Sequence, residues 1–182
     1  GCQAMAILLN NNGYGNEAWQ AELAHLLPEM PVRLMAEVDD PADIRYALVW
    51  DHPKGDLQRY PNLKAILSLG AGVEHLAADP DLPDIPVVRL ADPAVARDMA
   101  LHALHWVIRF HRHYPDYALQ QRHQHWARKE ALPLEEFEVG VLGLGNIGRQ
   151  VADCLALNGY SVNAWDLAAR HPDPAIHCFS GP

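Results

Sequence analysis

Cysteine is scarce in this 182-residue chain: Cys2, Cys154 and Cys178 lie far apart and no two stand as CxxC. An odd, unpatterned set excludes a disulfide framework and points to a reducing, cytoplasmic setting. Positive charge is short too, with 14 Lys and Arg against 23 Asp and Glu and a formal charge of −9. Nucleic-acid affinity comes largely from basic groups that displace counterions, so this balance speaks against a nucleic acid and for a small-molecule partner. Long apolar runs are missing as well. The stretch at residues 6–9 is far too short for a signal or a membrane span, and no basic segment leads into it. Internal repeats and low-complexity tracts are absent, and Gly1 to Ala4 ahead of Met5 read as a remnant of expression. What remains is ordinary globular chemistry, 49% hydrophobic and 20% charged, on a chain long enough to bury a core without metal or disulfide staples.

Short apolar runs alternate with segments of helical period, the pattern of a parallel α/β sheet whose strands are buried on both faces. Strands are expected at residues 6–9, 32–35, 46–50, 65–69 and 87–90, with a helix at 17–27 capped by Asn16 and a short helix starting near Gly72. Together they predict an open, flavodoxin-like α/β domain over residues 1–91. Asp92 then caps, and Pro93 opens, a long helix to about His113, striped by Val95, Met99, Ala103, Trp106, Val107 and Phe110. Pro115 interrupts it, an amphipathic stretch follows at 117–126, and a strand is expected at 137–142. Only 44 residues follow Glu138, enough for that strand, a helix, a second strand at 161–165 and a tail. A doubly wound dinucleotide domain needs about six strands, so residues 92–182 are expected to hold its beginning and the chain to be the front part of a longer protein.

The strongest chemical signal is Val139-Gly140-Val141-Leu142-Gly143-Leu144-Gly145-Asn146-Ile147-Gly148, a GxGxxG that closes an apolar strand and opens a helix striped by Ile147, Val151, Cys154 and Leu155. Gly143 permits the tight turn, Gly145 lets a pyrophosphate approach the backbone, and Gly148 lets helix and sheet pack closely. The amides of Asn146 and Ile147 would face the phosphates at the positive end of the helix. Asp166 falls where an acid binds the ribose 2′-hydroxyl of NAD and repels the 2′-phosphate of NADP, and a nearby arginine, Arg170, pulls the other way. NAD or NADP is therefore the expected cofactor, with an inclination to NAD; a solvated loop acid is the alternative for Asp166. A second glycine turn, Leu69-Gly70-Ala71-Gly72-Val73-Glu74-His75-Leu76, lies between a strand and a helix and suits a carboxylate better than a pyrophosphate. By itself it is as compatible with a plain tight turn.

The two motifs, in this order on either side of a long helix, resemble the D-2-hydroxyacid dehydrogenases. Leu48-Val49-Trp50, Leu69-Gly70-Ala71-Gly72-Val73, Leu104-His105-Trp106 and Gln120-Gln121 ahead of Trp126 are similar to the glyoxylate/hydroxypyruvate reductase A branch. The resemblance runs over nearly the whole chain. It implies that residues 1–91 belong to the substrate-binding domain, that the amides of Ala71, Gly72 and Val73 hold the substrate carboxylate, and that Trp50 walls the pocket; read from its place at a strand end alone, Trp50 suits a core aromatic equally well. It also implies a two-fold homodimer through the long helix and the Trp126 segment. Arg97-Asp98 departs from the family's usual Ala-Glu early in that helix. The family's catalytic arginine, glutamate and histidine lie beyond the second strand of the cofactor domain, so by resemblance no catalytic residue is expected before Pro182.

Eleven histidines raise the question of a metal, notably His102 with His105 and the group His111, His113, His123 and His125. Zinc needs three or four convergent ligands, and no acid sits at matching helical spacing, so no metal is expected and solvated or interface roles are. His75 could be mistaken for a catalytic base; a packing role at a helix start is expected. The reading that follows is an NAD(P)-dependent oxidoreductase of small 2-keto acids, with neither nucleic acid nor membrane as partner. The alternative is a dinucleotide-binding regulator or corepressor on the same fold, which would share residues 143–148 and lack a working histidine.

Overall fold

The computed structural model describes residues 5–168 and 170–181. Cys2 and the rest of the 1–4 segment lie outside the described residues. The chain forms two compact units, residues 1–91 and 92–182. In the first, β1 (Ala6–Asn10), β2 (Val32–Leu34), β3 (Ile44–Val49), β4 (Ala65–Ser68) and β5 (Val87–Val88) form one sheet in the order β2-β1-β3-β4-β5. All of its neighbours are parallel. That order is the flavodoxin-like one, with its switch point between β1 and β3.

Strand alternation explains why these segments read as unbroken apolar runs. Ala6, Leu8, Ala47, Val49 and Ile66 face one layer, built with Leu57, Tyr60, Leu63 and Leu76 of α2 (Glu74–Ala77). Ile7, Leu9 and Leu48 face the other, packed by Leu23 of α1 (Asn16–Leu26). Leu8, Val49 and Ile66 are fully buried, each contributing about 1.5–3 kcal/mol of hydrophobic transfer. One expectation fails here. Asn16 is the first residue of α1 rather than its cap; Gly15, in left-handed backbone at φ 61°, takes the cap position and leaves the Asn16 Oδ1 buried without a partner.

The second unit opens on α3 (Pro93–His111), where the Asp92 carboxylate accepts the Ala94 amide at 2.8 Å and Pro93 takes the first turn. Pro115 does end this helix, but one turn upstream of itself. A proline ring would strike the carbonyl four residues earlier, so α3 stops at His111, His113 turns left-handed at φ 56°, and Pro115 sits in the first turn of α4 (Tyr114–Arg122). The amphipathic stretch expected at 117–126 is corrected accordingly: α4 ends at Arg122, buries none of its residues, and leaves Trp126 in irregular, exposed chain.

Three parallel strands follow in the order β6 (Glu138–Leu142), β7 (Ser161–Trp165), β8 (Ile176–Phe179), with α5 (Asn146–Leu157) between the first two. This is the first half of a doubly wound sheet. Its core joins Val141, Ala152, Leu155, Val162, Ala164 and Ile176 to Leu104, Val107 and Ile108 of α3. β8 lies in what reads from sequence as a tail. It is four residues long and buries only Ile176, so it carries almost no periodic signal. No helix among the described residues is long and apolar enough to cross a membrane.

Candidate functional site

The 143–148 turn divides its glycines between fold and ligand. Gly143 leaves β6 at φ 93°, a region that L side chains disfavour, and its amide donates to the Trp165 carbonyl at 2.7 Å. A Cβ on Gly148 would overlap the Gly143 carbonyl, so this glycine holds helix against turn. Gly145 is different. Its φ of −66° and ψ of −167° suit any residue, and a Cβ there would meet no protein atom within 4 Å. The first backbone bond of α5 runs from the Arg149 amide to the Gly145 carbonyl at 3.0 Å, which leaves the amides of Asn146, Ile147 and Gly148 in the unpaired first turn of a twelve-residue helix. Open space over a glycine beside unpaired amides and a helix dipole is a cradle for a phosphate.

Asp166 stands where β7 ends and closes the turn from the other side: its Oδ2 accepts the Leu144 amide at 2.6 Å. That hydrogen bond is the main reason its carboxyl lies below the usual carboxylate range; burial opposes it, and the Ala168 and Leu167 amides and the Arg149 guanidinium add to it. It is thus an ordered carboxylate at the strand exit, not a loose surface acid. Arg149, which the sequence reading passed over, donates to the Arg170 carbonyl at 3.3 and 3.4 Å. The signal was a cation directly after Gly148, in the first turn of the helix.

In the first unit, the amides of residues 71–73 are presented by a residue that sequence reasoning missed. The buried Ser68 hydroxyl lies 3.0 Å from the Gly70 carbonyl and 3.1 Å from the Gly72 carbonyl, and accepts the Gly70 amide at 3.3 Å. Peptide planes are rigid, so carbonyls of residues 70 and 72 drawn toward the strand turn the amides of Ala71 and Val73 away from it. Among the described residues neither those amides nor that of Gly72 finds an acceptor. α2 is a single turn, so the donors here are the peptide groups themselves rather than a helix dipole. Trp50 lies across the loop: a Cβ on Gly70 would run into its indole ring, and the side chain remains 38% exposed. The indole thus lies over Gly70 and is partly exposed rather than sunk in the core.

The histidines scatter. His102 accepts the Trp106 indole N–H at 3.0 Å, and buried His111 bonds Tyr160 and the Leu132 carbonyl. Among the described residues no three His, Cys, Asp or Glu side chains gather as metal ligands. His52 and His75 do come together behind Trp50, with ring centroids 6.2 Å apart.

Residues 104–178 match the family model for the NAD-binding domain of D-isomer specific 2-hydroxyacid dehydrogenase. The chain is 34% identical, over 97% of its length, to glyoxylate/hydroxypyruvate reductase A of Serratia proteamaculans. Over nearly its whole length the chain is thus similar to D-isomer specific 2-hydroxyacid dehydrogenases. It spans 58% of that reductase's length. Among solved members of the family, the dehydrogenase of Xanthobacter autotrophicus Py2 in complex with NADPH and MES superposes with a TM-score of 0.87 at 36% identity, over 98% of this chain and 58% of that one. The NADPH-dependent glyoxylate/hydroxypyruvate reductase of Sinorhizobium meliloti, in complex with NADP and sulfate, gives 0.86 at 26% identity, over 97% of this chain and 56% of that one. The 143–148 turn lies inside the segment that matches this NAD-binding domain model.

Proposed function

We propose that this chain holds the dinucleotide and the substrate carboxylate in an NAD(P)-dependent reductase of small 2-keto acids, of the glyoxylate or hydroxypyruvate type. The observation that carries the reading is the open face over Gly145 beside the unpaired amides of Asn146, Ile147 and Gly148. Asn146, Ile147 and Gly148 would hold the pyrophosphate, Asp166 the ribose, and a bound nicotinamide cofactor supplies the hydride. The carboxylate at Asp166 favours NAD over NADP, because a 2′-phosphate would meet its charge. The amides of Ala71, Gly72 and Val73 would take the substrate carboxylate under Trp50, orienting the keto carbon. We assign no residue of 1–182 to protonation of the carbonyl oxygen.

We further propose a two-fold homodimer. α3 turns Val95, Met99, Trp106 and Phe110 outward, all more than a third exposed, while Leu104 and Ile108 pack on the core of its own unit and Ala96 and Ala100 are buried. An uncovered apolar stripe of this length is what a symmetric partner would bury. The cytoplasm is the setting we infer from the free thiols of Cys154 and Cys178. Titrating the chain with NADH and NADPH tests the central reading: saturable binding, tighter for NADH and weakened at least tenfold in Gly145→Val, is the expected result. Equal affinity of the parent and that variant would overturn it.

A further inference from the structure

Behind Trp50 stand three titratable side chains that the reading above does not use, His52 and Asp79 buried and His75 half-buried. His52 Nε2 lies 3.0 Å from Asp79 Oδ2, with both side chains fully buried. Asp79 also accepts the Gly55 amide at 3.0 and 3.1 Å and the Asp81 amide at 3.1 Å, and these donors hold its carboxyl below the usual carboxylate range against the opposing effect of burial. His52 Nε2 thus faces the Asp79 carboxylate, and its Nδ1 is buried without a hydrogen-bond partner. His75 repeats the situation. Its Nε2 is likewise buried and without a partner. Two buried, unpartnered ring nitrogens therefore stand on rings whose centroids are 6.2 Å apart, an arrangement whose cost depends on the charge around it.

The charges around His75 point the same way. The groups that face it are His52, Asp51 and Glu74, with Asp79 behind His52, so three carboxylates surround the back of the loop. Glu74 leans over the loop itself: a Cβ on Gly72 would strike its carboxylate. An anion docking on residues 71–73 enters a field that is already negative. Trp50 links the two places, covering Gly70 on one side and lying 4.8 Å from the His75 ring on the other.

We propose that His75, backed by His52 and Asp79, is the countercharge for a carboxylate on the 70–73 loop, taking one proton from solvent when the anion docks and releasing it when the anion leaves. This rests on the reading that the loop holds the substrate carboxylate. His75 does not touch the ligand; it is a positioning residue that acts through the field and through Trp50. A protonated His75 ring also attracts the indole face 4.8 Å away, which fixes the wall over the loop. Without an anion, burial is the main cause that holds the His75 pKa below its ordinary 6.5, with His52 adding to it, so the free loop keeps a neutral ring at neutral pH. A carboxylate a few ångströms from the ring raises that value by on the order of one pH unit.

The test follows the histidine ring resonances and backbone amides of the 182-residue chain by NMR from pH 5 to 9, with oxalate as the carboxylate probe. The expected result is that the Ala71 and Val73 amides shift with oxalate, that the His75 pKa rises by half a unit or more, and that oxalate affinity falls by up to tenfold between the free and bound pKa values. His75→Gln should bind oxalate several-fold more weakly at pH 6 and lose the pH dependence. Amide shifts with an unmoved His75 pKa would overturn the countercharge and leave the carboxylate loop intact. Unmoved amides would overturn the loop reading and the countercharge with it. The wild-type pKa measurement decides the matter even if the variant fails to fold.

Discussion

Exchanging the glycines at 145 and 148 separates ligand chemistry from folding within a single turn. At Gly148 a new Cβ would overlap the Gly143 carbonyl, a backbone atom that cannot rotate away. α5 would have to lift from the turn, at an overpacking cost of roughly 1–3 kcal/mol. A unit of this size loses about 4–8 °C of melting temperature per kcal/mol, so Gly148→Ala should melt roughly 5–20 °C below the parent. At Gly145 the same added carbon meets no protein atom within 4 Å, and the backbone there is ordinary. Loss of a glycine cap costs about 0.5–1 kcal/mol, and reduced freedom of the unfolded chain offsets about 0.4–1 kcal/mol of that. Gly145→Ala should therefore melt within a few degrees of the parent. A larger group at this position intrudes only on what approaches from outside, so Gly145→Val should lose NADH affinity at least tenfold, about 1.4 kcal/mol, with its fold intact. Calorimetric melting of each variant, paired with NADH titration by fluorescence, reads both quantities. An equal fall in melting temperature for the two alanine variants would refute the division of roles, as would tight NADH binding by a folded Gly145→Val protein.

Asp166→Asn removes the charge that opposes a 2′-phosphate, so the ratio of NADPH to NADH affinity should rise; an unchanged ratio would mean that Arg149 or Arg170 sets the preference. Ser68→Ala should cost about 0.5–1.5 kcal/mol in urea unfolding and weaken oxalate binding on the 71–73 amides, and retained affinity would show that the loop holds its shape unaided. The Asp79 carboxyl titrates below its ordinary 3.8 in the folded chain, so its contribution to stability is present above that value and lost as the pH falls through the folded pKa. Unfolding titrations from pH 6 down to pH 3 should show this loss, and Asp79→Asn should flatten it. Light scattering at micromolar concentration should give a dimer that Trp106→Glu or Phe110→Glu converts to a monomer; a monomeric parent would remove the two-fold proposal.

The geometry of the 143–148 turn was legible because it leaves marks in sequence: a strand before, a helix after, and Asp166 at the next strand exit. The sheet of the first unit was legible for a similar reason, since strands buried on both faces read as unbroken apolar runs. What escaped was chemistry made by distant segments. Ser68 ends a buried strand, and nothing in its neighbours announces that it will gather two loop carbonyls. His52, His75 and Asp79 come from three segments, and only the fold brings them into line. Short elements hid for want of period, as β8 did behind a single buried isoleucine. Boundaries slipped where backbone geometry outranked propensity: left-handed Gly15 took the cap from Asn16, and Pro115 ended α3 from four residues downstream.

The Ser68 hydroxyl has a bearing on how such a loop can change over generations. On the proposed reading the anion donors are main-chain groups whose direction is set from inside the sheet, so the exposed side chain of Ala71 is not needed for charge recognition. Position 71 can therefore be exchanged to sort ligands by bulk while the peptide groups keep their grip on the common carboxylate. On that reading selectivity and anchoring are separable, the first on the side chain at position 71 and the second on Ser68, which lies behind the loop.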